Sequence, residues 1–284
     1  MAQLYDAGRN PVNPTTGIAD VADGFATPLS DYLAASYMKG INHRGYSTDA
    51  PENTLPAYYL SYKHGFKFVE CDISYTSDGV PVLLHDSTIN RTSNGTGNIN
   101  DLTFAQVREY DFGSWFSAEF TGTKIPSLME FLVFCRNTGL HPYLELKSTT
   151  TYTTAQLQQI VDMVEMYGMK GKVTYISFSN SYLATVVAYD SFARVGYIVS
   201  AVNSTNIDRA VALRTGDNEV FLDSSSYTSA AIELCLAAHL PLEVWTIDNK
   251  TTIQGLDDYI SGVTSNDKNA GFIKLEKSLS VFES

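Results

Sequence analysis

From Lys39 onward the apolar positions follow two alternating periods. Runs with period two, rich in β-branched and aromatic residues, read as strands: GINHR, FKFVECDISY, VPVLLHD, HPYLELK, KVTYISF, RVGYIVS, EVFLDSS, LEVWTID and GVTSN. Between most of them lie runs with helical period: TLPAYYLSYKHG, SLMEFLVFCRNTG, TAQLQQIVDMVEMYG, YLATVVAYD, TNIDRAVALRTG, SAAIELCLAAH and TIQGLDDYI, several of which close on Gly. Repeated strand–helix units predict a parallel sheet covered by helices. With VPVLLHD taken as an antiparallel partner of the strand before it, eight parallel strands remain. That count and the chain length fit an α/β fold of the TIM (β/α)8 barrel type better than a doubly wound open sheet. Residues 1–38, rich in Pro, Gly, Thr and Asp without a sustained period, read as an irregular N-terminal leader or linker, with the barrel over 39–284. About forty residues between His85 and Pro126 are too many for a plain connection. They predict a small insertion (about 86–126) after the second strand region, capping one end of the barrel.

Within FVECDISY, Glu70 and Asp72 are two apart and so share one face of a strand. Two carboxylates side by side in a barrel interior need a compensating positive charge. The same logic recurs in YLELK, where Glu145 and Lys147 share a face. Barrel enzymes carry their working residues at the C-terminal strand ends. Here those ends give His43 and Arg44, Glu70 and Asp72, His85 and Asp86, and Glu145 and Lys147. A lone His is more often structural than catalytic, and paired acids at an exposed edge are simply solvated. Four strand ends carrying such groups together point instead to a site. Carboxylates without a thiolate or imidazole cluster suit one hard divalent cation, Mg²⁺ or Ca²⁺, held by Glu70, Asp72 and Glu145. Arg44 can fork onto a phosphate, Lys147 adds a point charge, and two histidines can move protons. The set suits phosphodiester cleavage. No Gly-rich phosphate loop, GxSxG elbow or HExxH helix is present.

Composition narrows the partners. The 284 residues are 44% hydrophobic and 18% charged, ordinary for a globular chain, and the net charge is −12. An acidic surface argues against nucleic acid as a partner. No apolar run reaches the roughly 18–20 residues of a transmembrane segment. The N-terminus shows no basic region followed by an apolar one, so no signal peptide is visible, and localisation stays open between the cytoplasm and the cell exterior or surface. The three cysteines, Cys71, Cys135 and Cys235, are too far apart in sequence to suggest zinc and are expected as buried thiols. Cys71, between Glu70 and Asp72, should face the covering helices.

The order of HRG (His43–Gly45), PENT (Pro51–Thr54), ECD (Glu70–Asp72), SDGVPVLLHD (Ser77–Asp86), RTSNGTG (Arg91–Gly97), IPSL (Ile125–Leu128) and LELK (Leu144–Lys147) closely resembles the glycerophosphodiester phosphodiesterase family. Later landmarks are ISF (Ile176–Phe178) and VWT (Val244–Thr246). The resemblance implies a TIM barrel that hydrolyses glycerophosphodiesters to an alcohol and glycerol phosphate. It matches Glu70, Asp72 and Glu145 to metal ligands, His43 and His85 to an acid–base pair, and Arg44 and Lys147 to phosphate contacts. Trp245 and Phe178 match the substrate end, and Glu52 an orienting role toward Arg44 or a ligand. The family's last strand often ends in Gly-Ile/Val-x-Thr-Asp, whereas this chain has GVTSN, a departure placed at Ser265. Two alternatives stand beside the small-diester reading. One is a hydrolase of glycerol-phosphate polymers, such as teichoic acid or capsule, on an extracellular or virion-associated domain; the other is a non-catalytic binding module.

Overall fold

The alternation in FVECDISY sorts its side chains to two sides of a sheet. In the computed structural model of the chain, Val69, Cys71 and Ile73 join the outer core under the helices, while Phe68 packs on the interior cluster of a barrel. Residues 38–148 and 150–267 are described, together with the backbone of the dipeptides Leu4–Tyr5 and Pro11–Val12, which pair antiparallel. Apart from these and Met38, the expected leader lies outside the described residues, as do residues 149 and 268–284 of the expected barrel domain.

The strands are β1 (Lys39–Asn42), β2 (Phe68–Tyr75), β3 (Pro81–Leu83), β4 (His141–Leu146), β5 (Thr174–Ser177), β6 (Arg194–Val199), β7 (Val220–Ser224), β8 (Leu242–Val244) and β9 (Ile260–Ser265). All but β3 run parallel, each against the next, and β1 closes the ring by pairing with both β9 and β2. The result is a closed eight-stranded TIM barrel. β3 pairs antiparallel with Ile73–Tyr75, the far end of the long β2. In the parallel register of β2 and β4, Asp72 lies level with Glu145, its direct partner.

Helices α1 (Leu55–Lys63), α2 (Phe104–Val107), α3 (Leu128–Thr138), α4 (Thr154–Met166), α5 (Asn180–Tyr189), α6 (Ser204–Val211), α7 (Ser229–Ala237) and α8 (Lys250–Gln254) fill the connections. α3 shows why such segments are helical. Ser127 and Glu130 form a reciprocal capping box at its start, and Gly139 ends it at φ 75°. Its buried Leu128, Phe131, Leu132 and Cys135 recur at the spacing of one helical face. Leu157, Ile160, Val161 and Val164 do the same on α4. Burial of each such side chain stabilises by about 1.5–3 kcal/mol. All three cysteines are free and buried, and Cys71 joins Cys135 in the outer core as expected.

One expected element differs. TIQGLDDYI predicts a helix over 252–260, whereas α8 stops at Gln254 and Ile260 already begins β9. The Asp257 carboxylate accepts a hydrogen bond from the Tyr259 N–H at 2.8 Å. This local turn competes with the helix for the same backbone donor.

The segment between β3 and α3 folds around its own small core. Ile89, Ile99, Val107, Phe112 and Ile125 pack together with Val82 and Leu84, bracketed by a bridge between Thr88 and Asn98. The barrel interior is filled lower down by Ile41, Tyr143, Ile176, Ile198 and Phe221. Its floor is ionic: Glu243 is 1% exposed and meets Lys39 at 3.2 Å, Arg194 at 2.7 Å and the Tyr143 hydroxyl at 3.2 Å. Gly262 makes that possible, since a Cβ there would lie 2.8 Å from Glu243 Cδ.

Candidate active site

Above the apolar layer, strand periodicity brings three acids together. Glu70 and Asp72 project inward from β2 and Glu145 from β4, all buried, and one carboxylate oxygen from each lies within 4.8 Å of the others. Glu70 Oε1 is buried without a partner, whereas Asp72 Oδ1 and Glu145 Oε1 face only the Lys147 ammonium. Like charge in a dry place has the expected consequence. Burial, then the charges of Asp72 and Glu145, pushes the Glu70 carboxyl well above the usual range. Burial and then Asp72 raise Glu145 to about 7. For Asp72, burial acts upward, but Lys147 and Arg44 outweigh it and hold the carboxyl below its ordinary value. Three convergent carboxylates, one oxygen orphaned and two others sharing a single ammonium, fit a hard divalent cation, which takes oxygen ligands of this kind.

The loop after β1 supplies the next layer. Arg44 is held at φ 56°, a left-handed conformation that costs a non-Gly residue of order 1–3 kcal/mol. In return its N–H donates to Glu70 Oε2 at 2.9 Å, its Nε lies 3.3 Å from Asp72 Oδ2, and its Nη1 donates to Glu52 Oε1 at 2.9 Å. Gly45 follows at φ 79°, and a Cβ there would lie 2.9 Å from that of Ala57 on α1, so the turn packs against the helix only because this residue is Gly. Lys147 Nζ bridges Asp72 Oδ1 and Glu145 Oε1, each at 3.1 Å.

The two histidines stand differently. His43 Nε2 lies 4.0 Å from Glu70 Oε2, and its Nδ1 is 2.9 Å from Asn266 Oδ1. Burial, then the neighbouring Arg44 charge, lowers its pKa. His85 is more open, with Nδ1 2.7 Å from Asp86 Oδ1. Asp86 accepts from Arg91, which also donates twice to Glu52, so His85 joins the rest through a line of hydrogen bonds. Chiefly through Arg91, Asp86 is lowered to about 2. Phe178 and Trp245 form an edge-to-face pair with centroids 5.4 Å apart, and Trp245 also packs on the interior cluster.

Seven of the ten residues expected from the sequence are thus tied by contacts of 4.0 Å or less: His43, Arg44, Glu52, Glu70, Asp72, Glu145 and Lys147. Several partners escaped the sequence reading. Asn53, at φ 54°, donates to Asp72 Oδ2 at 2.7 Å and accepts from the Asp72 N–H at 3.2 Å. Its signal was present in PENT, since Asn tolerates the left-handed region better than most residues. Arg91, Asn266 and Asp248 are others. GVTSN departs from the family's last strand at Ser265, but the side chain that reaches His43 is the next one, Asn266.

Fold and site together define a TIM barrel whose mouth carries an acidic triad flanked by two histidines. The Glycerophosphoryl diester phosphodiesterase family matches residues 43–267. The chain belongs to that family. Among curated relatives, Glycerophosphodiester phosphodiesterase of Bacillus subtilis is 27% identical over 263 residues, covering 84% of this chain and 89% of that protein. Human Glycerophosphodiester phosphodiesterase 1 is 42% identical over 125 residues, 43% of this chain but 38% of its own length. The chain therefore spans well under half of the mammalian relatives it matches. A phosphodiesterase of Oleispira antarctica solved in complex with the product sn-glycerol-3-phosphate aligns at TM-score 0.72 and 26% identity, covering 87% of this chain and 99% of that one. Glycerophosphodiester phosphodiesterase from Agrobacterium tumefaciens shares the fold at TM-score 0.69 and 24% identity, covering 84% and 100%.

Proposed function

We propose that the chain hydrolyses small glycerophosphodiesters to an alcohol and glycerol phosphate, with one divalent cation, Mg²⁺ or Ca²⁺, at Glu70, Asp72 and Glu145. The observation that carries this reading is the convergence of three buried acids, Glu70 with an unpartnered oxygen, beside Arg44, Lys147 and two histidines. A cation held by Glu70, Asp72 and Glu145 would supply positive charge against the phosphate and against the negative charge that develops there. Arg44 and Lys147 add positive charge beside it, and both are held against Asp72 before any substrate arrives. Glu52 holds Arg44 by accepting from its Nη1, and Asn53 orients Asp72 by donating to Oδ2. His43 and His85 take the proton of the attacking hydroxyl and supply one to the departing alkoxide. The nucleophile is either water or the substrate's own glycerol hydroxyl next to the phosphate. Phe178 and Trp245 offer an apolar wall for the substrate. The Oleispira antarctica neighbour, with sn-glycerol-3-phosphate bound, supports the product assignment.

A substrate panel tests this reading. Glycerophosphocholine and glycerophosphoethanolamine should release glycerol phosphate in Mg²⁺ or Ca²⁺, and EDTA should abolish the release reversibly. Asp72→Asn should reduce turnover to background in saturating metal while far-ultraviolet circular dichroism stays unchanged. Full activity after exhaustive dialysis against EDTA would remove the metal assignment. Turnover of glycerol-phosphate polymer alone would replace the small-diester substrate.

A further inference from the structure

The partner of His43 decides which of its ring nitrogens can act. Asn266 is clamped by Asp248, whose Oδ1 accepts the Asn266 backbone N–H at 2.8 Å and whose Oδ2 accepts Nδ2 at 2.9 Å. An ionised carboxylate offers only lone pairs, so the amide nitrogen of Asn266 must face it. That leaves Asn266 Oδ1 turned toward His43 Nδ1 at 2.9 Å, with the Ser47 hydroxyl 3.3 Å from the same oxygen. A carbonyl oxygen cannot donate. Nδ1 must therefore carry the proton, and the neutral ring keeps Nε2 bare on the side of Glu70, 4.0 Å away. The backbone of His43 is fixed as well, its N–H donating to the Ser265 carbonyl and its own carbonyl accepting from Ser47.

We propose that Asn266, anchored by Asp248, is a positioning residue that locks His43 in its Nδ1–H tautomer and so presents a bare Nε2 to the reacting hydroxyl. The role of Nε2 as proton acceptor rests on the function proposed above; the tautomer does not. In the reaction Nε2 takes the hydroxyl proton as the oxygen–phosphorus bond forms, and the resulting imidazolium keeps its Nδ1–H bond to Asn266. The leaving oxygen departs with the electrons of its bond to phosphorus and takes a proton from His85.

Long-range proton–nitrogen spectra of the ¹⁵N-histidine-labelled full chain in Mg²⁺ at pH 8.5 read the tautomer directly, with His43→Gln assigning the signals. Wild type should show Nδ1 protonated and Nε2 bare. Asn266→Ala should mix the tautomers and lower kcat about 10–100-fold, the usual cost of losing such a partner, with KM within about twofold. Exchanging the pair, Asp248→Asn with Asn266→Asp, again sets a donor against a carboxylate and should restore Nδ1–H and most of kcat. A wild-type spectrum with Nε2 protonated would overturn the proposal. So would an exchanged pair that folds, as judged by circular dichroism, without Nδ1–H. If no glycerophosphodiester is turned over while the spectra come out as expected, the proposed function fails and the tautomer lock stands.

Discussion

Arg91 grips Glu52 with two hydrogen bonds, at 2.7 and 2.9 Å, and thereby ties the insertion to the loop that carries Arg44. Glu52 Oε1 also accepts from Arg44 Nη1, and the far side of Arg91 holds Asp86, the partner of His85. Both sides of the site are thus aligned through one guanidinium that is 44% exposed. An exposed ion pair stabilises a fold by about 0–1 kcal/mol, so Arg91→Ala should barely move the melting temperature. Its effect should fall on kcat/KM, by about 10–100-fold, the usual cost of removing a group that orients others. Steady-state kinetics beside a melting curve decides it. A large drop in stability with unchanged kcat/KM would make Arg91 a structural strut and nothing more.

What the sequence disclosed and what it hid divide along one physical line. Glu70 with Asp72, and Glu145 with Lys147, are period-two pairs, so their shared face follows from strand geometry before any fold is known. The eight strands and most of the helices follow from periodicity in the same way. Asn266 lies 223 residues from His43, and only closure of the ring between β9 and β1 brings them together. No local pattern encodes that contact. Arg91 sits in a stretch with no period, where side-chain direction depends on an irregular backbone. The early end of α8 depended on a single side-chain turn at Asp257, weaker than any pattern a window can average.

The barrel floor makes a prediction about stability. Glu243 is 1% exposed and is held by Lys39, Arg194 and the Tyr143 hydroxyl, while Arg194 also lies 4.4 Å over the Phe221 ring. Removing one partner of a buried pair strands the other and costs about 3–5 kcal/mol. Glu243→Ala should therefore lower the unfolding free energy by that order in urea titrations, with kcat of the folded fraction within about twofold. A loss below about 1 kcal/mol would show that the floor repacks freely.

His141 sets a pH dependence of stability near the same floor. Burial, then the charges of Arg194 and Lys39, lowers its pKa from 6.5 to about 4. Below pH 6.5 the unfolded chain binds a proton at this residue that the folded chain refuses, so stability falls as pH drops from about 6.5 toward 4. A tenfold change in proton affinity is worth about 1.4 kcal/mol, so the contribution is a few kcal/mol at most. The difference in unfolding free energy between wild type and His141→Asn should shrink across that window and stay flat above it. A difference that grows on acidification would reverse the assignment.

The two histidines make the sharpest test, because their roles separate by leaving group. A proton donor matters in proportion to how badly the departing oxygen needs a proton. A diester releasing p-nitrophenolate can lose that weak base largely unprotonated, whereas one releasing choline or ethanolamine cannot. His43, with an amide partner, a ring lowered in pKa by burial and then Arg44, and Nε2 toward Glu70, suits the base. His85 hydrogen-bonds to Asp86 and is left as the acid. His85→Ala should then cost roughly 10²–10⁴-fold in kcat/KM on the alkyl diester and far less on the aryl one. His43→Ala should harm both substrates about equally, since the nucleophile needs activation whichever group departs. Rates for both variants on both substrates, in saturating metal, give four ratios. The reverse pattern would exchange the two roles. Equal small losses throughout would remove this pair from the chemistry and leave the rate to the cationic groups around the phosphate.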